Sequence, residues 1–321
     1  MNTTIKCLLL TLHIAIVLQL NAQIAPSEYE NIDYLITFGK DADKKWGDDD
    51  NVQVHFFVIP KEETAPVYIR VYDPETSGKY DTKNKEFNST TKYRILGGEG
   101  AFSTKAARNI NPIKGYDKGR LILSKTFGNT TQYDGKWYSF GPINPSEGEY
   151  SKKFKGYIFK MICEGTSGDD GNAYKYALSY SKTENIPVEN GNIFTYEMSF
   201  HLKSKVTSTA HIYPFIEEGI IAITQYNFDA DDDLEMRLTS IARKLIPLKS
   251  SADGQWISNT LKILEKEVNT SLDLQLVKQS ASGNDMVVHI LNQYKEAVPL
   301  FSIPIGGKPK YKYNVKVKTT F

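Results

Sequence analysis

Short apolar runs, each closed by Gly, Pro, Asn or Asp, set the rhythm of this chain. In Val67-Tyr68-Ile69-Arg70-Val71-Tyr72 aliphatic residues alternate with aromatic or charged ones. That is the period of a strand with one face on a core. Runs of this kind cover residues 34–38, 52–59, 67–72, 91–96, 120–126, 136–140, 154–164, 173–180 and 194–202, and 211–215 closes the set. Frequent short strands with turn residues between them are the pattern of antiparallel sandwiches and barrels. Helical periodicity is sparse: residues 100–109 could form a short helix, and 255–267 reads equally as a helical turn or an edge strand.

After Phe215 the character changes. Glu217-Glu218-Gly219 introduces a new apolar run, and strands are expected at 220–228, 234–238, 244–248, 256–264, 271–277, 286–292, 298–303 and 311–317. So many short strands in about a hundred residues suit one Ig-like or related sandwich. The expected architecture is therefore all-β, with two antiparallel β-sandwich domains of jelly-roll or Ig-like type, spanning residues 23–216 and 217–321. No Pro/Gly/Ser-rich linker marks the division, so one continuous sandwich assembly is the alternative.

The first 22 residues read differently. Lys6 precedes an apolar stretch from Cys7 through Leu20, and Asn21-Ala22-Gln23 follows. This is the layout of a cleavable export signal, with Ala22 the last residue removed, and the stretch falls short of the roughly 20 residues that span a bilayer. Cys7 opens the apolar run rather than standing at the cleavage point, which argues against a lipid anchor. Beyond it Cys163 is the sole thiol, so no internal disulfide can form; within an apolar strand it is expected as a small buried hydrophobe. The chain carries a formal net charge of +1, which gives no global field for nucleic acid or anionic lipid.

Acidic clusters are the first candidates for chemistry. Asp48-Asp49-Asp50-Asn51, Asp169-Asp170-Gly171-Asn172 and Asp229-Ala230-Asp231-Asp232-Asp233 all lie between expected strands. Loop carboxylates that converge can supply the six to eight oxygens calcium prefers. Asp169, Asp170 and Asp231 are the candidate ligands, with Asp73 joining them if the fold brings the loops together. The third cluster is no EF-hand, since Leu234 stands where the loop glycine belongs and Ser240 where the closing glutamate belongs. Turn chemistry explains Asp170-Gly171 equally well.

Enzyme signatures are sparse. His55, His201, His211 and His289 show no His-Glu-x-x-His spacing, and no nucleophile elbow, phosphate loop or dinucleotide fingerprint appears. Paired carboxylates for glycoside hydrolysis stay open because their pairing is set in space. Loop aromatics offer a binding alternative: Trp46, Trp137 and Tyr138 are the candidates for stacking on a sugar or burying in a protein partner. On the 136–140 strand Trp137 and Tyr138 point to opposite faces, so one of them is expected inside. The Lys/Tyr-rich stretch 308–318 is expected as a strand whose lysines guard a sheet edge. Asn88, Asn129 and Asn269 head Asn-x-Ser/Thr sequons.

The leader ending Asn21-Ala22-Gln23 resembles signal peptides of secreted proteins from Bacteroidetes-type bacteria. Tyr68 to Pro74, Phe159-Lys160, Gly165 to Asn172 and Thr195-Tyr196-Glu197 are similar to uncharacterised exported β-sandwich envelope proteins of the same type. That resemblance implies export to the periplasm, outer-membrane surface or medium, and carries over no residue roles. The expected function is a non-enzymatic binding or structural protein of the envelope, with a glycan or protein partner, no nucleic acid and calcium as the conceivable cofactor. A secreted glycan hydrolase working through loop carboxylates is the alternative.

Overall fold

The computed structural model describes residues 23–110 and 115–306; the export leader, the 311–317 strand and the 308–318 lysines of the sequence reading lie outside it. Among the described residues the chain is built of strands, interrupted by three single 3-10 turns. The first eleven strands are β1 Gln23–Ala25, β2 Tyr34–Phe38, β3 Val52–Pro60, β4 Val67–Tyr72, β5 Thr90–Gly97, β6 Arg120–Phe127, β7 Trp137–Ile143, β8 Glu149–Ser151, β9 Gly156–Ser167, β10 Gly171–Ser179 and β11 Asn192–Thr195. Then follow β12 Glu197–Leu202, β13 Thr209–Ile216, β14 Ala222–Phe228, β15 Leu234–Thr239, β16 Ile246–Leu248, β17 Trp256–Lys262, β18 Thr270–Ser271, β19 Asp273–Lys278, β20 Asn284–Asn292 and β21 Leu300–Phe301. The possible helix at 100–109 is a 3-10 turn, Lys105–Arg108, and 255–267 resolves into β17 and a second such turn.

Two antiparallel sheets face each other. One runs β17-β14-β20-β12-β2-β10-β4-β7, with β1 on β10; the other runs β16-β15-β19-β13-β21-β11-β3-β9-β5-β6. Alternation along the strands fills the space between them. Leu35, Ile69, Val71, Tyr174 and Tyr176 enter from the first sheet, and Phe57, Ile59, Tyr93, Met161 and Cys163 from the second, all fully buried in one core. Across the gap Tyr93 meets Tyr174 edge-on at 5.7 Å, and Phe57 meets Tyr176 at 5.7 Å. Each such side chain contributes about 1.5–3 kcal/mol by leaving water. Cys163 sits in this core, where burial pushes its thiol up to about 12; it is a packing residue.

Strand β3 is buried on both faces. Its outer residues Phe56 and Val58 join Phe102, Ile158, Phe194, Tyr196 and Phe301 in a second apolar layer on the back of the second sheet. Phe56 and Phe194 stack there at 5.1 Å.

The division expected at residue 217 is crossed by hydrogen-bonded ladders. β13 pairs with β19, β18 and β21, all later in the chain, and β12 pairs with β20 on one side and β2 on the other. The change of half falls instead at Tyr196. There the run 194–202, which reads as a single strand, breaks into β11 in the second sheet and β12 in the first. Strands β1–β10 form one lateral half and β12–β20 the other, and both sheets and the main core run through. No helix of the described residues is long and apolar enough to cross a membrane.

Candidate functional site

Because Val67, Ile69 and Val71 of β4 face the core, Tyr68, Arg70 and Tyr72 stand on the outer face of the first sheet. The same alternation puts Tyr34 of β2, Lys175 of β10 and Trp137 of β7 on that face. Tyr80, from the loop after β4, completes a row of rings. Centroids lie 5.0 Å apart from Tyr34 to Tyr80, 6.4 Å from Tyr80 to Tyr72 and 5.4 Å from Tyr72 to Trp137. Cations brace the row at both ends: the Lys175 ammonium lies 4.5 Å from the Tyr34 centroid and the Arg70 guanidinium 5.0 Å from that of Trp137. Arg70 is itself fixed, donating to Ser139 Oγ at 3.0 Å, to the Thr183 carbonyl at 3.1 Å and to Asn185.

An open cavity of about 1010 Å³ runs beside these rings. Tyr34, Tyr72, Trp137 and Lys175 line it together with Gln23, Asn31, Asp33, Asn185, Glu189 and Lys203. Gln23 is nearly buried; its amide nitrogen donates to the Val188 and Gly191 carbonyls at 2.6 and 2.7 Å, while its Oε1 has no donor. The wall thus combines π-faces with charged and amide side chains, the composition of a small-molecule groove.

The three aromatic candidates part company here. Trp137 is in the groove. Tyr138 turns inward against Phe127, Tyr133 and Phe140, at 5.1, 5.2 and 4.9 Å. Trp46 packs on Phe38 at 5.5 Å, away from the groove walls. Tyr34, Tyr72, Tyr80, Arg70 and Lys175 were not singled out from the sequence. The signal available was the aromatic and charged phase of the β4 alternation, which marks an outer face carrying more than solubility.

The acidic candidates are also separated. Asp170 is a structural clamp: one carboxylate oxygen accepts from Asn84 N at 3.0 Å, and the other from Asn88 N at 2.7 Å and from Ser89 N and Oγ at 3.0 Å each. Asp169 accepts from Asn84 Nδ2 at 2.7 Å. Asp73, at the end of β4, meets neither of them; it gathers with Glu75, Asp81 and Asp134. Burial, with Asp134 and Glu75 alongside, pushes its carboxyl up to about 7, and burial pushes Asp81 up to about 9. Asp231 lies in the other half, where its carboxylate, that of Asp229 and that of Asp253 bring oxygens within 4.8 Å of one another. Three such oxygens could hold a cation, although Asp231 and Asp253 are exposed. Burial pushes Asp229 up to about 7, with Asp231 and Asp253 adding to the rise.

A second polar assembly lies where loop 39–51 crosses the outer face of the second half. Asp48, Asp50 and Glu197 crowd together, and burial first, then mutual repulsion, drives Asp48 and Asp50 well above the carboxylate range. The approach is close: a Cβ on Gly47 would come within 2.4 Å of Asp285. His289 Nδ1 lies 3.0 Å from a Glu197 oxygen, Tyr226 and Trp256 flank its ring at 4.8 and 4.9 Å, and Trp256 donates to Asp49 at 3.1 Å. His289 also lines a cavity of about 560 Å³ with Tyr196, Lys153 and Tyr294. His201 and His211 pair likewise with Asp285 and Asp273, at 2.5 and 2.8 Å.

A scan against protein-family models finds no match, and a search of curated proteins finds none. Among solved structures, the chain is similar to "Structure of the Macrobrachium rosenbergii Nodavirus" at 8% identity over 82% of this chain and 88% of that one, with a TM-score of 0.17. It is similar to a chain of the T13 IBDV viral particle at 8% identity over 80% and 74%, with a TM-score of 0.14. Neither likeness bears on fold or function.

Proposed function

We propose that this chain is an exported envelope binding protein that holds a glycan along the Tyr34–Tyr80–Tyr72–Trp137 row. The observation that carries the reading is the row itself, four rings in sequence, three of which (Tyr34, Tyr72 and Trp137) line a cavity of about 1010 Å³ whose other walls mix polar and aliphatic side chains. A sugar ring offers an apolar C–H face and a rim of hydroxyls. Large amphipathic rings take the face, while Asn185, Asp33 and Glu189 take the rim. The braced Trp137 needs little ordering on binding, which favours affinity.

Hydrolysis is the second reading, carried by the Glu197–His289 pair at the edge of the smaller cavity. Binding is favoured because Asp48 and Glu197 are 3% and 7% exposed, packed under a loop rather than opposed across a cleft. A glycan array followed by calorimetric titration tests the proposal. Trp137→Ala and Tyr72→Ala, with β-sheet circular dichroism unchanged, are expected to weaken the best ligand at least tenfold, about 1.4 kcal/mol each. Equal affinity in parent and variants would remove the groove from the account.

A further inference from the structure

We propose that Asp73 and Asp134 hold a divalent cation of the calcium class directly beneath the aromatic row. Asp73 is fully buried at the end of β4, in a left-handed backbone conformation with φ of 55°. Its Oδ1 accepts from Gly135 N at 2.8 Å, and its Oδ2 is buried with no donor at all. The Asp134 carboxylate lies alongside, pressed so closely on residue 78 that a Cβ there would stand 2.0 Å from Asp134 Oδ1. Among the described residues no Lys or Arg nitrogen pairs with Asp73, Glu75, Asp81 or Asp134.

The other two acids are already engaged. Asp81 accepts from Ala173 N and Ser77 N, both at 2.7 Å, and Glu75 accepts from Thr130 Oγ1 and Tyr133 N. They are spent on the loops that frame the pair, while Asp73 Oδ2 stays free beside Asp134. A buried carboxylate oxygen with no donor is costly to leave bare, and hard oxygens of this kind suit calcium, whose remaining positions carbonyls and water can fill.

The position has a consequence for the groove. Asp73 follows Tyr72, Asp81 follows Tyr80, and Trp137 stands three residues after Asp134. A cation held by Asp73 and Asp134 would tie together the backbones that carry Tyr72 and Trp137, two of the four rings. This coupling rests on the glycan reading above; the cation site does not, and it is tested without any glycan.

The full chain is titrated with terbium, exciting tyrosine and tryptophan, and then with calcium as competitor. Sensitised emission that calcium displaces is expected, at least tenfold weaker in Asp134→Asn and Asp73→Asn and unchanged in Asp231→Asn. In parallel, millimolar calcium should raise the melting temperature over EDTA by about 3 °C or more in the parent, with no rise in Asp134→Asn. Asp134 is the milder substitution and keeps the test alive should Asp73→Asn fail to fold. Loss of emission in Asp231→Asn instead would move the site to the other half and overturn the proposal. So would a parent that ignores calcium while Asp73→Asn melts higher in EDTA, the behaviour of two carboxyls sharing a proton.

Discussion

His55 and Glu30 are buried groups with opposite habits. His55 lies between the sheets against the Tyr176 ring at 5.1 Å, with no partner for either nitrogen, and burial lowers its pKa to about 3. Glu30 is wholly buried beside Ser27, and burial raises its pKa to about 8. A lowered imidazole favours the fold above pH 6.5 and loses that contribution as pH falls toward 3. A raised carboxyl favours the fold below 4.5 and loses its contribution as pH rises toward 8. Each slope approaches about 1.4 kcal/mol per pH unit inside its window. Melts from pH 4 to 8 should therefore show His55→Leu flattening the acid limb and Glu30→Gln flattening the alkaline one. Variants whose curves stay parallel to the parent would show that neither group is buried as described. The sequence placed His55 within the 52–59 strand but not on a face and not in isolation, because a missing partner is set by residues more than a hundred positions away.

At the scale of elements, alternation located most strands and missed where they go. Tyr34–Phe38 and Val67–Tyr72 match the sequence reading residue for residue. The run 194–202 alternates without a break, yet Tyr196 carries the chain from one sheet to the other, an event that no local pattern records. Trp137 and Tyr138 were legible as facing opposite ways. Which one faces outward was decided by Phe127 on β6 and Phe140, whose rings receive Tyr138. The acidic loops were legible as loops, but turn clamp and ion ligand differ only in where amide donors point. Asp170 shows the difference, since it fastens the 84–89 segment to the β9–β10 hairpin through three amides and a hydroxyl. Asp170→Ala should destabilise by roughly 3 kcal/mol, because charge-assisted bonds vanish and buried donors are left open. Chemical denaturation should give the same loss in EDTA and in calcium; a loss confined to calcium would return Asp170 to the metal ligands.

Across the whole molecule the two lateral halves share both sheets. β12 of the later half pairs with β2, which carries Tyr34, and β11 and β21 join the halves in the other sheet. With ladders and core continuous, neither half can lose its partner without exposing apolar surface. Calorimetry should show one transition whose van't Hoff and calorimetric enthalpies agree. Two resolved transitions would make the halves independent.

Among the described residues the four outermost strands, β17, β7, β16 and β6, have a strand neighbour on one side only. β7 contains Pro142 and β16 contains Pro247, while β6 carries Arg120 and Lys125 and β17 ends in Lys262. Proline withholds a donor, and a lysine or arginine resists being brought against its own copy. Where copies of this protein are crowded, then, its rims work against edge-to-edge pairing with the strands of a neighbour.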